Sequence, residues 1–219
     1  MPVLKTIVVD TTSTKQPGSV TSTNLSHTVA DKRDRILAVT LSYRGGPTPS
    51  SVQYAGENMT LAKASTEYDG CDSRVYYIVN PQAGTNNISI TWGSACDANM
   101  LIGAVSFYNA DTRDPIYATG EQTGNRSNFT VTINALNGGI VVFAFMHTGT
   151  SSNGSPGTGS TEIGQRNSND SNGSAYEANC TASTQVVGWA GFSPSDSAMS
   201  GSAVSFRPAT HRGGASLFF

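Results

Sequence analysis

The chain has 219 residues, of which 13% are charged, and a formal net charge of −2. That charge density is about half the roughly 25% usual in soluble domains. With no basic run, it lacks the electrostatic footprint of a nucleic-acid or anionic-lipid surface. At 37% hydrophobic residues the chain is too apolar for a disordered Ser/Thr/Gly-rich polymer. It is also long enough to bury a core without metals or disulfides, and no stretch approaches the ~18 apolar residues of a membrane helix.

Apolar residues recur with the two-residue period of strands almost from end to end. The first segments are residues 3–9, 24–29, 35–43, 51–55 and 59–64, with Gly45-Gly46-Pro47 as punctuation. Residues 74–80 and 87–92 flank the compact turn Pro81-Gln82-Ala83-Gly84 and are expected to pair as a hairpin. Strand 100–108 follows, then a turn-rich stretch at 109–115, then strands at 128–133, 139–147, 161–165, 175–181, 185–192 and 198–206. Ile36, Val39 and Leu41, residues 100–107 and residues 140–145 form near-continuous apolar runs. Such runs mark central strands covered on both faces, with the Ser/Thr-alternating strands nearer the edges. So many short strands, with few helix formers, predict an all-β, two-sheet antiparallel β-sandwich. The Gly/Ser stretch at 148–160 reads as a long exposed loop and not a linker. One domain is therefore predicted over 1–219: an N-terminal strand or arm (1–23), a sandwich (24–209) and a C-terminal tail (210–219).

If Asn80 faces Asn87 in the predicted hairpin, Cys71 faces Cys96 at the separation a disulfide needs. The alternative is two buried thiols that merely approach. Cys180, the odd cysteine, reads as a small buried residue. The same register brings Asp72 towards Asp97 beside an acidic loop, and oxygen-rich loops of this kind bind Ca²⁺. Asp72 and Asp97 are thus the candidate metal ligands, with solvated loop carboxylates as the commoner outcome. The acidic loop at 111–115 reads as a turn in which Arg113 pairs locally.

No converging catalytic groups are legible. His27, His147 and His211 are far apart in the chain, and His147 is read as a strand-end histidine half in water. No Gly-x-Ser-x-Gly elbow, His-Glu-x-x-His pair or phosphate-binding glycine loop occurs. The expectation is a protein that is not an enzyme and needs no cofactor beyond the Ca²⁺ alternative. Aromatic platforms for a sugar have candidates in Trp92, Trp189, Tyr68, Tyr76, Tyr77, Tyr108 and Tyr117, although both tryptophans sit in apolar strand contexts. Of the adjacent Tyr76 and Tyr77, one must point outward on a strand. Asn-x-Ser/Thr sequons begin at Asn24, Asn58, Asn87, Asn125, Asn128, Asn153, Asn169, Asn172 and Asn179, and matter only if the protein is exported.

The segments RILAVTLSY (35–43), SVQYAGENMTLAKAS (51–65), VYYIVNPQAGTNNISITW (75–92), IGAVSFYNA (102–110) and AVSFRPA (203–209) carry a resemblance. In this order the chain resembles a widespread family of jelly-roll-like β-sandwich domains found in bacterial surface and secreted proteins and in phage structural proteins. The resemblance implies a jelly-roll-like sandwich in an accessory or structural role, and no reaction.

The resulting expectation is a structural protein of a virion, as a phage head-decoration or tail component, or of an extracellular filament. The alternative is a carbohydrate-binding or adhesion module. The N-terminus lacks the basic-then-apolar pattern of a secretory signal. That fits a protein assembled inside a cell and then released, or one whose signal has been removed. The expected partners are other protein subunits, in a homo-oligomer or on a larger particle. Val3, Leu4, Ile7 and Val9 would add as a strand to a neighbour's sheet edge, and Leu217, Phe218 and Phe219 would fill a partner's groove. The competing reading docks both termini on their own domain.

Overall fold

The structure is a computed structural model that describes residues 3–96, 99–125, 127–149, 154–167, 170–181, 183–191 and 197–210. Every described element is a β-strand. The first half of the chain supplies β1 (Val8–Lys15), β2 (Ser22–Val29), β3 (Ile36–Arg44), β4 (Pro49–Tyr54), β5 (Glu57–Asn58), β6 (Thr60–Ala64), β7 (Cys71–Val79), β8 (Gly84–Trp92) and β9 (Met100–Tyr108). The second supplies β10 (Ile116–Asn125), β11 (Phe129–Ala135), β12 (Ile140–Thr148), β13 (Ser155–Pro156), β14 (Thr161–Asn167), β15 (Asp170–Ala178), β16 (Ser183–Ala190) and β17 (Ala198–Phe206).

The antiparallel sandwich expected from the alternation is present, but with four sheets instead of two. Sheet I has the order β2-β8-β4-β5, sheet II β1-β9-β3-β7-β6, sheet III β10-β17-β12-β15-β14 and sheet IV β11-β16-β13. Sheets I and II bury one core between them, with Leu25, Leu37, Tyr54, Ile88 and Trp92. Sheets III and IV bury another, with Phe129, Phe143, Phe145 and Trp189. Sheets II and III then pack face to face through Ile36, Val105, Phe107, Ile140, Val142 and Phe206. The layer order is therefore I–II–III–IV. The two middle sheets are covered on both sides, so β3, β9, β12 and β17 are buried along almost their whole length. This confirms the central strands read from their unbroken apolar runs.

The second half repeats the first. Pairing in each half is nested, first strand with last and second with second-to-last: β1–β9, β2–β8 and β3–β7 in one, β10–β17, β11–β16 and β12–β15 in the other. The details recur as well. Ile36 faces Phe107 and Ile140 faces Phe206, each phenylalanine closing an Ala-Val-Ser-Phe segment. The first strand of each half carries a bulge directly after the residue that faces this phenylalanine, at Asp10 and at Tyr117. Asn80 and Asn179 both follow the end of the equivalent strand with left-handed backbone, φ 56° at Asn179 and 49° at Asn80. Asparagine tolerates that conformation better than other non-glycine residues. Across the II–III interface β1 lies against β14 and β6 against β10, as an approximate twofold requires.

That central interface has an apolar and a hydroxyl-rich part. In the latter, Thr40 and Ser174 hydroxyls approach at 2.7 Å, Ser65 and Ser200 at 2.6 Å, and Ser73 and Ser202 at 2.8 Å. Ser73 donates to the Ala144 carbonyl at 2.9 Å, so Ser202 is the donor to Ser73. Glycine at 103 is what lets the layers meet, since a Cβ there would overlap Ser174 and lie 2.6 Å from the Thr40 hydroxyl.

Two expectations about pairing are corrected. Strands β7 and β8 do not form a hairpin, because the turn between them crosses from sheet II to sheet I. Tyr76 and Ile78 on β7 face Ile88 and Ile90 on β8 across a common core, so the strands oppose each other instead of lying side by side. The N-terminal strand is displaced from residues 3–9 to Val8–Lys15, and it completes its own sheet beside β9.

Candidate functional site

Without the hairpin, the proposed disulfide has no basis. Cys71, Cys96 and Cys180 are buried thiols and none is bridged. Cys71 lies on β7 against Met146 and Ala198, between sheets II and III. Cys96 packs in the core of sheets I and II, where its thiol donates to the Gly45 carbonyl at 3.4 Å. Burial pushes the Cys71 thiol up to about 12 and the Cys180 thiol up to about 11, so neither is a nucleophile near neutrality.

Of the candidate metal ligands, Asp97 lies outside the described residues. Asp72 is committed to a cation of the chain itself. Its Oδ2 accepts from the Arg74 guanidinium at 2.7 and 3.1 Å and from the Tyr43 hydroxyl at 2.8 Å. Among the described residues no three acidic, histidine or cysteine side chains gather as a metal cluster. In the 111–115 turn, Asp111 caps the backbone amides of Arg113 and Asp114, while Asp114 pairs with Arg207 at 3.2 Å. The local ion pair expected of Arg113 is thus replaced by a longer-range one.

Both described histidines are buried. His147 is fully buried on β12 and not half in water, and His211 lies outside the described residues. His27 is buried on β2, with its Nδ1 2.9 Å from the Ser13 hydroxyl. Burial lowers its pKa to about 4 against the partial pull of the Asp10 carboxylate. Ser13, His27 and Asp10 include the residue types of a hydrolytic triad. However, Asp10 spends its Oδ2 on the Ala30 amide at 2.8 Å and the Ser106 hydroxyl at 3.0 Å. A histidine shut in a core cannot pass a proton to a substrate.

Trp92 and Trp189 are core residues, as their sequence contexts indicated. Tyr76 and Tyr77 point to opposite faces of β7, but neither face is solvent. Tyr76 enters the core against sheet I, and Tyr77 meets Phe206 of sheet III edge-on at 6.1 Å. Among the described residues the exposed rings are Tyr68 and Tyr117, and the Arg207 guanidinium lies 4.9 Å from the centre of the latter. Of the terminal residues, Ile7 is buried in the central core and Val9 packs against it, whereas Val3 and Leu4 are exposed. Leu217, Phe218 and Phe219 lie outside the described residues.

What remains is the outward surface of the stack. On sheet I, Ser22 pairs with Thr91, Asn24 with Ser89, Ser26 with Asn87 and Thr28 with Thr85, all on the face away from the core. Ser51 and Gln53 on β4 and Asn58 on β5 extend the same rows. On sheet IV the outward positions include Thr130, Thr132, Asn134, Thr184 and Val186. None of these residues is charged. The hydroxyls and amides bond to one another within the face, Thr28 to Thr85 at 2.8 Å and Gln53 to Asn58 at 2.9 Å. Among the sequons, Asn24, Asn58 and Asn87 are exposed on sheet I, while Asn172 is buried and donates to the Ser42 and Asn99 carbonyls. Asn153 and Asn169 lie outside the described residues. Alternation along β2 and β8 was the signal for this face, and strand pairing is what assembles it.

No family model matches the chain, and neither a curated protein nor a solved structure does.

Proposed function

We propose that this protein is a non-enzymatic structural building block, whose work is done by the flat outer faces of a four-layer sheet stack. The observation that carries this reading is the uncharged hydroxyl and amide surface of sheets I and IV. A face needed only for solubility would be dotted with Lys and Glu, whereas charge is depleted at the centres of protein interfaces. The described candidates support it: His27 and His147 are buried in the packing, and Asp72 is held in an internal ion pair.

We read each half, from its nested pairing, as jelly-roll-like, and the molecule as two such units back to back. This agrees with the family resemblance and with a place in a virion or an extracellular filament. A glycan-binding reading has less support, because both tryptophans face the core. Assembly through the N-terminal strand is also set aside, since β1 is used within the chain. Cross-linking and electron imaging of the protein in its native assembly are expected to place sheet I or sheet IV against a neighbouring subunit. A protein that stays monomeric in its native source, or touches its neighbours only through strand edges, would overturn the proposal.

A further inference from the structure

We infer that a cavity at one end of the stack, where the first half of the chain hands over to the second, binds a phosphate or sulfate monoester. The site is separate from the outer faces of sheets I and IV and adds a small ligand to the structural role.

The cavity has a volume of about 390 Å³ and is lined by Lys5, Arg33, Asp34, Asp111, Thr112 and Arg113. These residues come from the arm before β1, the β2–β3 turn and the connection from β9 to β10. Backbone hydrogen bonds fix the three segments to one another. The Ala110 amide donates to the Asp34 carbonyl at 2.9 Å, Lys5 to Ala209 at 2.8 Å and Ala209 to Asn109 at 2.7 Å. The site is thus formed before any ligand arrives, and its size falls in the range of small-molecule pockets.

Its positive charge is not spent within the chain. Among the described arginines, Arg35, Arg44, Arg74, Arg166 and Arg207 each have an acceptor. Arg33 and Arg113 have none among the described residues, and both line this one cavity. The nearby carboxylates are engaged elsewhere, Asp34 by the Lys5 ammonium at 3.3 Å, Asp31 by Arg35 at 3.3 Å and Asp111 by the Arg113 and Asp114 amides. A single arginine left in water is ordinary, but the internal repeat shows that the fold does not need this charge. Asp34 stands two residues before Ile36 with φ 56°, as Gly138 stands two residues before Ile140 with φ 77°. The second of these turns is the uncharged Leu136-Asn137-Gly138-Gly139, whereas the first carries five charged residues in succession, Asp31 to Arg35.

The donors narrow the ligand. A guanidinium presents a planar fork that grips two oxygens at once. One fork is enough for a carboxylate, so two forks call for the three free oxygens of a phosphate or sulfate ester. The Thr112 hydroxyl and the Lys5 ammonium, which has donors beyond the one Asp34 takes, add to the same wall. The remaining volume leaves room for the group that carries the oxyanion.

Isothermal titration at fixed ionic strength with glycerol phosphate, glycerol sulfate and inorganic phosphate tests this, with glycerol as the blank. The expected dissociation constant for the tighter ester is about 1 mM or lower. Arg33→Gln and Arg113→Gln should each weaken it ~10-fold or more, as loss of a charge-assisted contact requires. Asp34→Asn should act the other way and tighten binding several-fold, because it removes a carboxylate that faces the anion. Lys15→Gln, at the far end of β1, should change nothing. A wild-type melting temperature for each variant without ligand shows that the fold is intact. No binding of any of the anions at about 10 mM overturns the inference, as does an affinity indifferent to both arginine variants. A loss in Lys15→Gln equal to theirs means diffuse attraction and overturns it as well. If inorganic phosphate binds as tightly as either ester, the oxyanion site stands and the organic ester is overturned. None of these results bears on whether sheets I and IV touch neighbouring subunits, so a failure of the site leaves the structural role standing.

Discussion

His27 makes stability depend on pH with a sign and size that follow from its burial. Its pKa lies at about 4 in the folded chain, against 6.5 for an ordinary histidine. Between those values the unfolded chain holds a proton that the folded chain refuses. Stability is therefore fully present above the unfolded pKa and is lost as pH falls towards the folded one. A gap of ~2.5 units at ~1.4 kcal/mol per unit is worth roughly 3 kcal/mol. For a chain of this length that lowers the melting temperature by about 6–12 °C. The repeat supplies the matching substitution. His27 faces Asn86 in sheet I as Ile133 faces Gln185 in sheet IV, so His27→Ile installs the residue of the equivalent core position. Urea unfolding of both proteins, from neutral pH down to the folded pKa, isolates the effect. Carboxylate titrations are common to the two curves and cancel in the difference. The wild type is expected to lose roughly 3 kcal/mol more than His27→Ile across this window. Parallel curves would refute the assignment of the buried neutral imidazole.

The packing yields further expectations. Gly103→Ala forces a methyl against Ser174 and Thr40 at the central interface and should cost about 1–3 kcal/mol in urea unfolding. Adding Ser174→Gly should recover part of that loss, and no recovery would place the strain elsewhere. Phe206, buried beneath Phe107 at a ring separation of 5.1 Å, should cost about 3–5 kcal/mol as Phe206→Ala. A smaller loss, under about 1 kcal/mol, would mean that sheets II and III are not held by this cluster. Cys71, Cys96 and Cys180 should all be silent to a thiol reagent in the native state and all react after denaturation without reductant. A mass shift of one disulfide on reduction would contradict the unbridged thiols. Trp92 and Trp189 should emit in the blue and resist iodide quenching, whereas strong quenching would return them to the surface and revive a sugar platform.

Much of the strand inventory was legible because burial leaves a local trace. The unbroken apolar runs of β3, β9 and β12 meant cover on both faces, and both faces are covered. Polar edge strands left a weaker trace. β10 reads Ile-Tyr-Ala-Thr-Gly-Glu-Gln-Thr-Gly-Asn and is nowhere deeply buried, so no apolar period announced it. The tail of β1 is hidden for the same reason. The repeat was faint too, because the two halves share register, bulges and turn asparagines more than residues, with Ala-Val-Ser-Phe as its plainest mark.

The sequence by itself thus determined that the chain is all-β and which strands are central. Only the tertiary structure decided how many sheets there are, which strand pairs with which, and where the uncharged residues of sheet I come together. The reason is that alternation is a property of one strand and its two faces. Pairing is chosen by distant segments competing to bury those faces, as when Ile88 and Ile90 pack opposite Tyr76 and Ile78 and draw β8 out of the hairpin. With that choice the Cys71–Cys96 bridge was lost, and the rows of hydroxyls and amides on sheet I were aligned.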